Sequence, residues 1–274
     1  MVARRSAAAV TSMLPLSAMP TAMRDGIRGV LTDIDDTLST HGRIAADAFV
    51  AMERLRQSGK LVIPITGRPA GWCDHIARMW PVDAVVGENG AFYMRYDDAR
   101  RQLIKRYVAG TEERVANRRR LVAIGEKILR AVPGTALASD QLYREADLAI
   151  DFCEDVPPLP RTAVDRIVEL MEAEGMTAKV SSIHVNGWFG NYDKLAMTRT
   201  LLAEAFDVDL DAQRDRFVFV GDSPNDAPMF GFFPNSVGVA NVRPFLDRIA
   251  TPPCYITHGE AGNGFVELTE FLLG

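Results

Sequence analysis

The sequence predicts an α/β protein, a parallel sheet with helices on both faces, interrupted by an inserted α+β block. Near both ends of the chain, short apolar runs alternate with helical stretches, which is the pattern of βαβ units. Between about Ala91 and Gly187 this alternation gives way to strand-like runs and two helices of a smaller α+β unit. Two of the flanking apolar runs close on aspartates, and ligands in open parallel sheets bind outside the carboxyl ends of strands. The 274 residues, 47% of them hydrophobic and 24% charged, suffice for one large or two modest cores.

Residues 1–25, rich in Ala, Ser, Met and Pro without a steady period, read as a loose tail or as sequence upstream of a true start at Met19 or Met23. Arg4 and Arg5 ahead of a short apolar stretch resemble a secretory signal weakly, because Pro15 and polar residues interrupt it. From Gly26 the order is a strand over Ile27–Thr32, a helix over Ala45–Gln57 stopped at Gly59, and a buried strand over Leu61–Ile65. A helix follows Pro69, where proline suits the first turn, and a strand over Ala84–Val86 ends before Gly87. The inserted block, 91–187, reads as strands Phe92–Tyr96 and Leu103–Val108, a helix near Glu112–Ala131, and a strand Leu148–Phe152. A helix Arg161–Glu174 and a strand pair near Ala178–Val185 complete it. The first pattern then resumes with a helix Asp193–Phe206, a strand Arg216–Val220, a helix from Pro224 and a strand Val237–Ala240. The core is therefore split into 26–90 and 188–274.

Gly at 21 and Pro at 15 exclude collagen-like and low-complexity chains. With 31 Lys+Arg against 36 Asp+Glu there is no basic bias of the kind that drives nucleic-acid binding. Cys73, Cys153 and Cys254 are odd in number, widely spaced and without Cys/His ligand spacing, which disfavours a disulfide framework or structural zinc and fits the cytoplasm. No apolar run reaches the roughly 18 residues of a membrane-spanning helix, so no membrane partner is expected.

Chemistry concentrates at strand ends. In Val30-Leu31-Thr32-Asp33-Ile34-Asp35-Asp36-Thr37-Leu38 an apolar strand runs into three aspartates. Asp33 and Asp35 approach one site if the chain bends after the strand, and their like charges then call for a shared cation or proton. A solvated Asp-rich turn is the plain alternative. Phe217-Val218-Phe219-Val220-Gly221-Asp222-Ser223-Pro224-Asn225-Asp226 repeats the arrangement, with Asp222 at the strand end. Two carboxylates from different strand ends among oxygen-rich neighbours suit a hard cation such as Mg²⁺, whereas Asp222 taken alone reads equally as a helix cap. Thr66-Gly67-Arg68-Pro69 offers a hydroxyl and loop amides at a helix start, an anion site or an ordinary cap. Lys194 opens a helix, where the macrodipole disfavours it, and on its own would be a routine surface lysine.

Taken together and in order, Asp33 to Thr37, Thr66, Lys194 and Gly221 to Asp226 resemble the motifs of the haloacid dehalogenase superfamily of aspartate-dependent phosphotransferases. The position of the insertion resembles the subclass with an α/β cap. The motifs, with the junction Gly87-Glu88-Asn89-Gly90-Ala91, look like those of sugar-phosphate phosphatases and phosphomannomutases. The resemblance implies a Rossmann-like core and a substrate-selecting cap. It implies that Asp33 is the nucleophile that becomes an aspartyl phosphate and Asp35 the general acid and base. It also implies that the Asp33 carboxylate, the Asp35 carbonyl and the Asp222 carboxylate hold Mg²⁺. Thr66, Gly67 and Lys194 then bind phosphoryl oxygens, and Asn225 and Asp226 support the metal waters or the lysine. The presence of Asp35 matches the phosphotransferase pattern rather than haloalkanoate dehalogenation.

On the cap, strand alternation puts Ser182, His184 and Asn186 on one face and Ile183 and Val185 on the other. With Arg68 these polar residues are the candidate substrate contacts, and plain solvent exposure of that face is the alternative. Arg114, Arg118, Arg119 and Arg120 read as a solvated helix face, and Trp72 and Trp80 as packing. The expected partner is a small phosphorylated substrate. A hexose phosphomutase shares every core residue named, and a phosphate-binding protein without turnover is the reading from another class.

Overall fold

A computed structural model describes residues 13–181 and 183–274 of the chain. It begins with β1 (Leu14–Pro15) and a short α1 (Thr21–Gly26), and runs into β2 (Gly29–Thr32). The tail expected over residues 1–25 is thereby corrected for its described part. The Leu14 amide donates to Cys254 O at 2.9 Å, and Leu16 and Met19 are 2% and 4% exposed. These apolar residues lack a period of their own, and it is the sheet edge and the C-terminal helix that hold them. The expectation for residues 1–12 lies outside the described residues.

Helix α2 (Ala46–Gln57), β3 (Leu61–Pro64), α3 (Ala70–Met79) and β4 (Val85–Gly87) continue the βαβ pattern, and β5 (Phe92–Asp97) and β6 (Gln102–Tyr107) form a hairpin. Then come α4 (Thr111–Ala131), β7 (Ala136–Leu137), β8 (Asp147–Asp151), α5 (Arg161–Ala173), β9 (Thr177–Val180) and β10 (His184–Trp188). The chain closes with α6 (Lys194–Phe206), α7 (Leu210–Gln213), β11 (Phe217–Gly221), α8 (Ala227–Phe232), β12 (Val237–Gly238), β13 (Tyr255–Ile256) and α9 (Ala261–Leu273). The helix expected from Pro224 starts as a single tight turn, Pro224–Asp226, before α8.

The main sheet is parallel throughout, in the order β1-β13-β12-β11-β2-β3. Both of its faces are covered, which is why β2 and β11 are apolar runs rather than alternating ones. Val30, Val62, Val218 and Val220 point into one apolar cluster, and Leu31, Ile63, Phe217 and Phe219 into the other.

The hairpin Phe92–Tyr107, grouped from the sequence with the inserted block, pairs instead with β4, which a bridge between Ile65 and Val86 ties to the end of β3. Phe92 and Met94 pack in the same cluster as Val30 and Val62, and that shared core outweighs sequence proximity to the insertion.

A second, antiparallel sheet has the order β7-β8-β10-β9. Leu148, Ile150 and Val185 pack under α4 and α5 with Ile124, Ile128, Ile167 and Met171. Alternation then sends Asp147, Asp151, His184 and Asn186 to the opposite face. His184 and Asn186 are buried, so their face is not solvent-exposed. Ser182 lies outside the described residues. Among the described residues no helix is long and apolar enough to cross a membrane.

Candidate active site

The register of the parallel sheet assembles the site. Thr32 pairs with Val220 on one side and Pro64 on the other, the Asp33 amide donates to Val220 O at 2.9 Å, and the Thr66 amide to Val86 O at 2.9 Å. Asp33, Thr66 and Asp222 therefore leave the carboxyl ends of three adjacent strands, where a parallel sheet has exhausted its own hydrogen bonds.

Lys194 reaches this point from the first turn of α6, whose cap is the Asp193 carboxylate accepting from the Ala196 amide at 2.7 Å. It is buried, not the surface lysine its position suggests. Its Nζ donates to Asp33 Oδ1 at 2.8 Å and Asp226 Oδ1 at 2.9 Å. The second Asp226 oxygen accepts from the Asp222 and Ser223 amides, and Ser223 and Asp226 form a capping box at the turn. Gly221 permits this: a Cβ there would lie 2.5 Å from Asp226 Oδ2. Asn225 stands beside it, its Oδ1 accepting from Ser223 Oγ.

Oxygen atoms of Asp33, Asp222 and Asp226 all lie within 4.8 Å of one another. Burial pushes Asp33 up to about 7, with Asp226 and Asp35 adding to the effect and Lys194 opposing it. Burial, then Asp226, Asp33 and Asp36, lift Asp222 well above the ordinary carboxylate range. Burial alone would favour a neutral amine at Lys194, but Asp226 and Asp33 hold its ammonium more firmly than usual. One ammonium, paired with two of them, thus stands against three buried carboxylates. An all-oxygen donor set with surplus negative charge fits a hard divalent cation. Asp226 is committed to the lysine and two amides, which leaves Asp33 and Asp222 to face such an ion. Thr37 Oγ1 donates to Asp222 Oδ1 at 3.2 Å and Asn241 Nδ2 to Asp222 Oδ2 at 3.3 Å, fixing that carboxylate.

Thr66 Oγ1 accepts from the Arg68 amide at 3.0 Å, a local turn that leaves its hydroxyl proton free to donate. Arg68, read from the sequence as a substrate contact, lines the cavity of the site and is paired with carboxylates of the protein. Its guanidinium grips Asp35 through three contacts of 2.8–3.0 Å, reaches Glu154 Oε1 at 3.2 Å and Asp140 Oδ2 at 3.5 Å, and stacks on Trp72. Proximity explains the pairing with Asp35: the bend after β2 brings Asp35 beside Arg68, and a planar guanidinium matches a carboxylate on two edges.

From the second sheet, Asn186 Nδ2 donates to Asp147 Oδ2 at 3.0 Å and His184 Nε2 lies 2.8 Å from Glu154 Oε2. The histidine contact first, then Arg68, depresses the Glu154 carboxyl to about 2. Arg144 is buried between Asp140 and Asp147 and donates to Gly67 O at 2.9 Å. Asp33, Asp35, Gly67, Arg68 and Asn225 thus meet Arg144, His184 and Asn186 around one cavity of about 30 Å³.

Sequence reasoning missed Asn241, Glu154, Asp140 and Arg144. The first lies in the 3-10 helix Ala240–Arg248, which carries no motif, and the others become neighbours of the site only because the second sheet folds over the strand ends. Thr37 and Asn89 sat within motifs already singled out and could have been read from them.

Residues 30–114 match the family model of haloacid dehalogenase-like hydrolases. Among curated proteins no sequence matches the chain. Among solved structures, the Thermoplasma acidophilum protein 0175 is 18% identical with a TM-score of 0.69, over 90% of this chain and 98% of that one. A Synechocystis sucrose-phosphatase, solved with sucrose and phosphate, is 17% identical with a TM-score of 0.61, over 89% and 97%. The C-terminal domain of a C. albicans trehalose-6-phosphate phosphatase is 12% identical with a TM-score of 0.69, over 96% and 98%. The fold read from the motifs is the fold these structures share.

Proposed function

Taking the haloacid dehalogenase-like fold as the premise, we propose that the chain is a Mg²⁺-dependent phosphatase of sugar phosphates or similar small monoesters, acting through an aspartyl phosphate on Asp33. The observation that carries the reading is Lys194 Nζ held between Asp33 and Asp226 at the strand ends, with Asp222 beside them.

An Asp33 oxygen attacks phosphorus in line, the bond from phosphorus to the alcohol oxygen breaks, and Asp35 delivers a proton to that oxygen. A water then attacks the phosphorus and loses a proton to Asp35, and the bond from phosphorus to Asp33 breaks to release phosphate. Lys194, Thr66 and the Gly67 amide bind the phosphoryl oxygens, and their fixed positions supply most of the catalysis such a transfer needs. The Asp33 and Asp222 carboxylates, with the Asp35 carbonyl, would hold Mg²⁺, and Asn225 and Asp226 would steady its surroundings. When bound, the ion offsets the repulsion between Asp33 and the incoming phosphoryl group.

In this reading the segment from about residue 108 to 188 is the cap, and His184 and Asn186 face the leaving group. The phosphatase is favoured over the mutase by charge. Arg68 and Arg144 face the cavity but are matched by Asp35, Asp140, Asp147 and Glu154, so neither offers free positive charge to a second phosphate. The named activities of the sucrose and trehalose-6-phosphate phosphatases support a sugar phosphate as substrate, and the scattered cysteines support a cytoplasmic setting.

The test is phosphate release from a panel of phosphorylated sugars and small metabolites with Mg²⁺, run beside EDTA and Asp33→Asn. Release from a narrow sugar-phosphate set that both controls abolish is expected. Interconversion of hexose phosphates without release would make the protein a mutase, and neither activity would sink both readings.

A further inference from the structure

The junction Gly87-Glu88-Asn89-Gly90-Ala91 does work that the mechanism above leaves unexplained. Glu88, Asn89 and Gly90 have φ of 42°, 56° and 103°, three successive left-handed residues, two of which carry side chains that disfavour this region. Such a run persists only where its surroundings hold it. The Glu88 carboxylate is fully buried and accepts from the amides of Ala70, Glu145, Ala146 and Asp147. The Glu88 and Asn89 amides donate to Arg68 O and Thr66 O. Gly90 lies so close to the start of α6 that a Cβ there would sit 2.1 Å from Asp193 O, one residue before Lys194.

The outcome of this bracing is the placement of one side chain. The Asn89 amide stands over Gly67, 3.2 Å from where a Cβ of that residue would be. Asn89 is 6% exposed, and its Nδ2 has no hydrogen-bond partner among the described residues. It lines the cavity that holds Asp33, Asp35 and Gly67, and also the neighbouring one that holds Lys194 and Asn225. A buried N–H donor without an acceptor is costly and rare in a native fold. The side chain that carries it borders the cavity beside Gly67 and the one beside Lys194, where the reading above puts a phosphoryl group.

We infer that the Asn89 side-chain amide donates a hydrogen bond to a non-bridging phosphoryl oxygen of the substrate, completing a cradle with Thr66, Gly67 and Lys194. The inference rests on the phosphatase reading and adds a phosphate contact from the Glu88–Gly90 turn. It also accounts for the strain, since an ordinary turn would not carry an amide to that point.

The test uses Asn89→Gly, because glycine tolerates the left-handed backbone and loses only the side chain. Asn89→Asp is its companion, since it keeps the shape and turns the donor into an acceptor. Turnover of p-nitrophenyl phosphate and binding of inorganic phosphate, both with Mg²⁺, are measured with the melting temperature. In Asn89→Gly, kcat/KM and phosphate affinity should both fall by about 10- to 100-fold, the range for a hydrogen bond to a charged group. Its melting temperature should not fall in parallel, and Asn89→Asp should lose more activity. The inference is overturned if Asn89→Gly keeps both quantities within about twofold of the parent. It is also overturned if turnover falls while phosphate affinity holds, which would move the contact to the leaving group, or if the losses merely track unfolding. A parent protein that neither binds phosphate nor turns over the ester would bring down the phosphatase reading and this contact with it.

Discussion

Asp35 shows how a residue's chemistry depends on what folds against it. The motif places it two residues after Asp33, but the structure adds Arg68 on both of its oxygens. In the proposed mechanism Asp35 gives a proton to the leaving oxygen, and the need for that proton depends on the leaving group. Asp35→Asn should lower kcat on a sugar phosphate by about 10²–10⁴-fold, and by much less on p-nitrophenyl phosphate, whose leaving group departs as a stable anion. Equal losses on the two esters, measured side by side, would assign Asp35 to positioning Arg68 instead. Lys194 makes the complementary point. A lysine at a helix start reads as a surface residue, and only the convergence of α6 with the ends of β2 and β11 buries it between two aspartates.

Among the elements, those with a strong period were legible. The long helix near Glu112–Ala131 is α4, and Leu61–Ile65 is β3 extended by a bridge. The misread elements were those whose partners lie far away in sequence. The hairpin β5–β6 has the local pattern of any antiparallel pair, and nothing local says that it joins β4 and packs behind α3. The N-terminal segment is the sharper case. Leu16 and Met19 earn their burial from α9 and β13, whose residues lie more than two hundred positions away. Leu16→Ala should therefore destabilise the protein by about 2–5 kcal/mol, the range for a buried leucine truncation. A urea-unfolding midpoint unchanged by that substitution would return the segment to the status of a loose tail.

Across the whole molecule, the second sheet is drawn over the strand ends by polar contacts. Glu154, in the loop after β8, joins Arg68 of the core to His184 of the second sheet, Arg144 reaches Gly67 O, and the Glu88 carboxylate binds three amides from Glu145 to Asp147. These contacts border the cavity of about 30 Å³ that Asp33 and Asp35 share with His184 and Asn186. The Glu154 link has a definite pH signature. Its carboxyl is depressed from 4.5 to about 2, so the stability it contributes is fully present above about pH 4.5 and is lost as the pH falls toward 2. Glu154→Gln should flatten that part of the acid-unfolding profile, and a variant profile parallel to the parent's from pH 5 to 2 would exclude the link. The sequence by itself determined the α/β class, the strand-end motifs and their order, because apolar periodicity and the residues that end strands are local properties. Only the tertiary structure decided that Arg68 serves Asp35, that Lys194 is buried, that the hairpin belongs to the main core and that Asn89 lies buried beside Gly67 with its Nδ2 unpartnered among the described residues. Each of those depends on which distant segments share a surface, and burial, charge pairing and unmet hydrogen bonds exist only once that surface has formed.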